Sequence, residues 1–211
     1  MVMKTITIEK NIYDFNELSE TAKENARRLY LEFFHENYMF SDMLKEDIAY
    51  TFEKSDMNAE YSLSSCQGDG LNVYGNLDIR DAVKIYEIRV KDKNLEITKK
   101  EYRFLEWLKK QTDIIIKLDA NGRYTYFTDK TEDIIFYINL EMDINHYRDI
   151  PYDFIKKFAK VVNEYLEIYC KKWEETGYEF FYSTEGIDEE IIEIFEANGY
   201  RGFEENGEPI Y

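Results

Sequence analysis

AEYSLSSCQGDGLNVYGNLDI, Ala59 to Ile79, is the stretch that decides the fold. Two alternating runs flank Gly68-Asp69-Gly70, and both glycines take φ > 0 without strain, so an antiparallel hairpin is expected. Around it, apolar residues recur at helical spacing. Ala22, Ala26, Leu29, Tyr30, Phe33 and Phe34 form one stripe behind Ser19, a good N-cap, with Glu20 and Glu24 suited to the positive end of the helix. Ser41 is read as the cap of a second helix carrying Leu44, Ile48 and Phe52. Tyr102, Leu105 and Leu108 align in a helix over Lys99 to Gln111. Pro151 suits the first turn of a long helix, in which Phe154, Phe158, Val161, Val162, Tyr165, Leu166 and Tyr169 keep the period until the chain nears Gly177. Ile187 to Asn198 is a last helix, stopped by Asn198-Gly199.

The remaining β signals are KTITI at Lys4 to Ile8, the segment Lys84 to Val90, and YEFFYST. DIIIKLD, YTYFT and DIIFYINLE, turning at Asn121-Gly122, are expected to form an antiparallel meander. No repeat of fixed period and no Pro/Gly/Ser linker breaks the chain. The expectation is one α+β domain over residues 1–211, with antiparallel sheet segments and several packed helices.

Composition limits the function. With 44% hydrophobic residues, 19 Tyr and 14 Phe, the 211-residue chain builds a proper core despite a formal charge of −17. The charge therefore sits on a folded surface. From Glu174 to Tyr211 twelve carboxylates face one base, Arg201, so this stretch supplies −11 of the total. Such a surface repels nucleic acid and anionic membrane and attracts basic protein surfaces over roughly 8 to 10 Å at physiological salt. MVMKTITIEK lacks the apolar run of a signal peptide, and no stretch approaches the roughly 18 apolar residues of a membrane span, so a cytoplasmic protein is expected. Cys66 and Cys170 form no CxxC and read as reduced, packed thiols.

No catalytic residue, metal ligand or cofactor is expected. The two histidines, His35 and His146, have no partner at ligand spacing. Asp143, Asn145, His146 and Asp149 lack the glycine and terminal glutamate of an EF-hand loop, and read as a polar turn. The QGDG turn offers backbone N–H groups to an anion, but Asp69 in its middle opposes one. The last helix is more informative. Glu189, Glu193 and Glu196 share one face opposite Ile187, Ile191, Ile194 and Phe195, and no lysine is interleaved. With Glu185, Asp188, Glu190, Glu204 and Glu205 they form the expected partner-binding surface. Arg89 to Lys110 carries eight bases against four acids and is expected to pair with the acidic remainder, within the fold or across a homodimer.

YDFNELSETAKENARRLYLEF, YSLSSCQGDGLNVYG and IIEIFEANGYRGFEENGEPIY resemble a diffuse group of small acidic accessory proteins encoded by phages and prophages of Gram-positive and related bacteria, about a third of the chain taking part. The resemblance implies a mobile-element setting, antitoxin-like or anti-defence, with no catalytic residue to carry over. The expected function is that of a non-enzymatic inhibitor in the bacterial cytoplasm. It would dock an acidic face on a basic host defence protein, such as a CRISPR or restriction nuclease, without touching nucleic acid itself. Two alternatives stand beside it: an antitoxin masking a basic toxin, and an enzyme or small-ligand binder built around the hairpin and the Asp143 to Asp149 turn.

Overall fold

A computed structural model describes residues 11–34, 37–64, 66–120, 125–145 and 152–211. Along them run α1 (Glu20–Phe34), α2 (Asn37–Thr51), β1 (Asp56–Ser62), β2 (Gly70–Asp78), α3 (Ile79–Asp92), α4 (Lys99–Leu108), β3 (Ile115–Leu118), α5 (Thr131–Asn145), α6 (Tyr152–Tyr182), α7 (Asp188–Ala197), β4 (Gly202–Phe203) and β5 (Pro209–Ile210). The fold class is α+β, mostly helical, with a three-stranded antiparallel sheet in the order β1-β2-β3 and a two-stranded β4-β5 ladder. The chain divides into two compact units, residues 41–177 and residues 1–40 with 178–211.

In the first of these units the expected hairpin forms, with β1 and β2 in register from Asp56 opposite Asn76 to Ser62 opposite Gly70. Gly68 and Gly70 take φ of 98° and 150°. A Cβ on Gly70 would lie 2.7 Å from the Tyr126 Cα, so backbone crowding as well as φ excludes a side chain there. Asp69 folds back into its own loop, where its carboxylate accepts from the Ser62 hydroxyl at 2.5 Å, the Cys66 N–H at 2.8 Å and the Cys66 thiol at 3.1 Å. The Gly68 carbonyl in turn accepts from the Thr125 N–H and hydroxyl. The turn is filled from within and tied from outside.

Carboxylates fix the helices around this sheet. Asp81 accepts from the Lys54 N–H at 2.8 Å and the Ser55 hydroxyl at 2.6 Å, and Ser55 Oγ accepts the Asp78 N–H, which locks the start of α3 to the turn before β1. Asp47 on α2 accepts from the Tyr169 hydroxyl at 2.7 Å and the Trp173 indole N–H at 2.9 Å on α6. The buried Asp81 and the half-buried Asp47 are both paired, which avoids a cost of about 1–3 kcal/mol per orphaned group.

Five expectations change, the first being the polar turn, since Asp143 and Asn145 lie in the last turn of α5. Lys84 to Val90 is helical, within α3: Ile79, Ala82, Val83, Tyr86 and Val90 are buried at helical spacing, and the Asp78 carboxylate accepts the Arg80 N–H as a cap. Of the meander only β3 is a strand. DIIFYINLE lies in α5, burying Ile134, Ile135 and Ile138, while Thr125 to Thr128 belong to no strand. Tyr178 to Tyr182 of YEFFYST continue α6, which runs 31 residues with Gly177 buried in its interior. Ser41 does not cap α2, which begins four residues earlier at Asn37; its Oγ lies 2.7 Å from the Tyr61 hydroxyl. Tertiary burial overrides β propensity in each Ile- and Tyr-rich case. The expected strand Lys4 to Ile8, the Asn121-Gly122 turn, His35, His146, Asp149 and Pro151 lie outside the described residues.

The other unit is built on one core of Phe15, Leu18, Ala22, Ala26, Tyr30, Leu31, Ile191, Phe195 and Phe203. α1 presents Ala22, Ala26 and Tyr30 one turn apart, so small residues let a neighbour approach and the tyrosine ring fills the end. α7 ends as expected: the Gly199 N–H donates to the Glu196 carbonyl and the Tyr200 N–H to the Phe195 carbonyl, a Schellman closure with Gly199 at φ 83°. That closure aims the chain into β4, where Phe203 and Tyr13 exchange backbone hydrogen bonds at 2.9 and 3.0 Å. Among the described residues, no helix is long and apolar enough to cross a membrane.

Candidate functional site

The acids of α7 divide into two groups with different work. Asp188 faces α1 and is held by Arg27, whose Nε and Nη2 donate to its two oxygens at 2.6 and 2.8 Å. The pairing raises the Arg27 guanidinium pKa, and the Arg27 hydrogen bonds hold the Asp188 carboxyl below the usual carboxylate range. Glu190 accepts the Tyr30 hydroxyl at 2.7 Å. Burial first, and this hydrogen bond second, push the Tyr30 phenol up. These two acids fasten α7 to α1.

Glu189, Glu193 and Glu196 are exposed, and no ion pair reaches them among the described residues. Their spacing of four and three residues puts them on one face of α7, opposite the buried Ile191 and Phe195. Glu185 is exposed in the loop before α7. Glu204 and Glu205 occupy the β4-β5 turn, where the Glu204 N–H donates to the Glu208 carbonyl at 2.8 Å. The eight expected residues thus fall on three segments of one unit. Glu185, Glu189, Glu193, Glu196 and Glu205 are exposed and Glu204 is half-buried, while Asp188 and the exposed Glu190 are tied to α1.

Beside this face opens a cleft of about 340 Å³ lined by Asp14, Phe15, Asn16, Ile192, Phe195, Glu196, Tyr200, Arg201, Gly202 and Phe203. Phe15, Phe195 and Phe203 are buried beneath it and meet edge to face, Phe15 to Phe203 at 5.7 Å and Phe195 to Phe203 at 5.4 Å between centroids. Tyr200 packs against Phe195 at 4.7 Å. Only Glu196 of this set belongs to the expected site. The others join opposite ends of the chain; the aromatic spacing of Tyr200 and Phe203 around Gly202 was the available signal.

The basic stretch is partly consumed within its own unit. Lys93 pairs with Glu164 at 2.5 Å, and Lys109 with Glu87 and Glu106 at 2.7 Å each, which raises the Lys109 amine to about 12. Lys91, Lys99, Lys100, Arg103 and Lys110 are exposed.

A second polar cluster surrounds Lys130, which is 3% exposed. Its ammonium donates to the Asp119 carbonyl at 2.6 Å and its N–H to Asn163 Oδ1 at 2.7 Å, joining the end of β3, the start of α5 and α6. Burial lowers the amine's pKa and raises that of the Asp133 carboxyl. Asn72, fully buried, donates to Glu60 at 3.0 Å and leaves Oδ1 unpartnered. Sequence reading missed the Lys130 cluster because Asn163 lies 33 residues further along the chain.

The hairpin loop, the other feature on which an enzyme or ligand-binding reading rested, is occupied by Asp69. Cys170 is buried, which pushes its thiol up to about 12, while Cys66 is exposed rather than packed. Hydrogen bonds, the Ser62 hydroxyl foremost, hold the Asp69 carboxyl at about 2 against an ordinary 3.8. Because the folded value is depressed, the carboxylate's contribution to stability is fully present above the unfolded pKa. It is lost as pH falls from about 4 toward about 2. The stability gap between the protein and its Asp69→Asn variant, read from denaturant melts, should be constant from neutral pH to about 5 and narrow below about 4. A gap that stays constant to pH 2.5 would refute the role given to Asp69.

Among the described residues, no group of three or more His, Cys, Asp or Glu side chains is arranged to hold a metal ion. No family model, curated protein or solved structure matches the chain.

Proposed function

We propose that this protein is a non-enzymatic inhibitor that docks the acidic face of α7 on a basic, nucleic-acid-binding surface of another protein and so keeps nucleic acid away. One observation carries the reading: Glu189, Glu193 and Glu196 stand exposed together, while their neighbours Asp188 and Glu190 are taken up by Arg27 and Tyr30. Like-charged neighbours on a helix face cost a few tenths of a kcal/mol per pair, so the row weakens α7 in isolation and gains only from an external cation. Its excess negative charge steers a basic partner toward it and opposes phosphate contact. The setting that accords with the quoted segments is a phage or prophage accessory protein acting in the bacterial cytoplasm on a host defence nuclease. An antitoxin masking a basic toxin would use the same face, and the identity of the captured protein separates the two.

The test is capture from host lysate on immobilised protein at about 0.05 M and about 0.5 M salt, where screening differs several-fold. A basic nucleic-acid-binding protein should be retained at the lower salt and released at the higher, and purified protein alone should give no gel shift with DNA or RNA. A gel shift at micromolar protein, or capture indifferent to salt, overturns the reading.

A further inference from the structure

We infer that the cleft beside Glu196 is a seat for an arginine side chain of the partner, an inference that rests on the protein-binding reading above and adds the residue class recognised. At about 340 Å³ the cleft lies at the low end of ligand sites, which run from about 300 to 1,000 Å³, so it suits one side chain rather than a large cofactor. Its lining is aromatic, from the buried Phe195 and Phe203 and from the half-buried Tyr200, whose ring packs on Tyr211 at 4.0 Å. Carboxylates stand at its wall, Asp14 and Glu196, against the single guanidinium of Arg201, so the lining favours a cation over an anion. Glu196 belongs at once to the cleft and to the exposed row of α7, which makes the cleft the end of the acidic face rather than a separate pocket.

Aromatic carbon with a carboxylate beside it discriminates between the two basic side chains. A guanidinium is planar, weakly hydrated, stacks on rings and accepts a carboxylate along two parallel N–H bonds; an ammonium is strongly hydrated and gains only point-charge attraction. An acidic face alone would treat arginine and lysine nearly alike. The aromatic lining predicts that it does not.

The probes are an acetylated, amidated peptide of three arginines and its three-lysine counterpart, titrated into the whole protein and followed by two-dimensional amide NMR. The arginine peptide should bind more tightly and shift the resonances of Phe195, Tyr200, Arg201 and Phe203. Glu196→Gln should weaken the arginine peptide about tenfold and the lysine peptide about twofold. Glu193→Gln, on the same face but outside the cleft, should weaken both by the same small factor. The spectrum reports that each variant is folded, and Asp14→Asn repeats the test from the other wall. Equal affinity for the two peptides, with Glu196→Gln no worse than Glu193→Gln, overturns the arginine seat and leaves the acidic-face reading standing. Absence of shifts at the cleft residues overturns it as well. Failure of the protein-binding reading shows instead in the lysate capture, which these peptides do not enter.

Discussion

Replacing Gly207 with alanine is expected to destabilise the protein by about 3 kcal/mol, the sum of a left-handed backbone cost of about 1–2 kcal/mol and an overpacking cost of about 1–3 kcal/mol. Gly207 lies at φ 87° in the β4-β5 turn, buried against α1. A Cβ there would lie 2.0 Å from the Ala22 carbonyl oxygen and 2.9 Å from its carbon, both backbone atoms that cannot rotate aside. Room can be made only by lifting the turn from α1. That would break the hydrogen bond from Asn25 Nδ2 to the Asn206 carbonyl, 2.8 Å long, and loosen Phe203 in the core. Gly199 is the internal control, because its φ is 83° yet nothing lies within 4 Å of a Cβ built on it. Gly199→Ala should cost only the backbone term, about 1–2 kcal/mol. Equal losses in denaturant melts would show that the approach of the turn to α1 is not what holds Gly207.

The same residues mark how far the sequence could be read. α1, α4 and α7 were legible because each signals its own ends: the Ser19 hydroxyl oxygen accepts the Ala22 N–H at 3.2 Å, Thr98 and Glu101 form a reciprocal cap, and Gly199 closes the last helix. The β1-β2 hairpin was legible because Gly68 and Gly70 must sit in a turn. α3 and α5 were not. Their β-branched and aromatic residues look extended in a short window, and only the packing of Ile79, Val83, Tyr86, Ile134 and Ile138 into the core makes the helical period visible.

For the candidate site the limit was different. Sequence showed which acids lie on α7, but α7 packs on α1 some 160 residues earlier in the chain, so the roles of Arg27 and Tyr30 were hidden. Those contacts separate Asp188 and Glu190, which hold the fold, from Glu189, Glu193 and Glu196, which are free to meet a partner. The cleft was hidden for the same reason, since Asp14, Phe15 and Asn16 reach Glu196 and Phe203 only through the tertiary fold.

Reversing Glu189, Glu193 and Glu196 together to lysine should leave the fold intact and lower affinity for a basic partner about 10- to 100-fold at low salt, taking about 0.5–1 kcal/mol per reversed charge. Three reversals of two charges each move the formal net charge from −17 to −11. Stability should change little, because the helix dipole acts on the substitutions in opposite senses. Lysine at 189 loses a favourable placement in the first turn, whereas lysine at 196 gains one in the last, each by about 0.3–1 kcal/mol. The buried side of the helix, Ile191 and Phe195, is untouched. Asp188→Asn supplies the contrast: it gives up the Arg27 pair, costs about 1 kcal/mol of stability for a partly exposed bridge, and should alter partner affinity far less. The loss in the triple variant should sit mainly in the association rate and shrink as salt approaches about 1 M, where the screening length is about 3 Å and the wild-type attraction is itself gone. Should the triple variant bind its basic partner as tightly as the unaltered protein at low salt, the α7 face is not the docking surface, and the exposed Lys99, Lys100 and Arg103 of α4 become the surface to test.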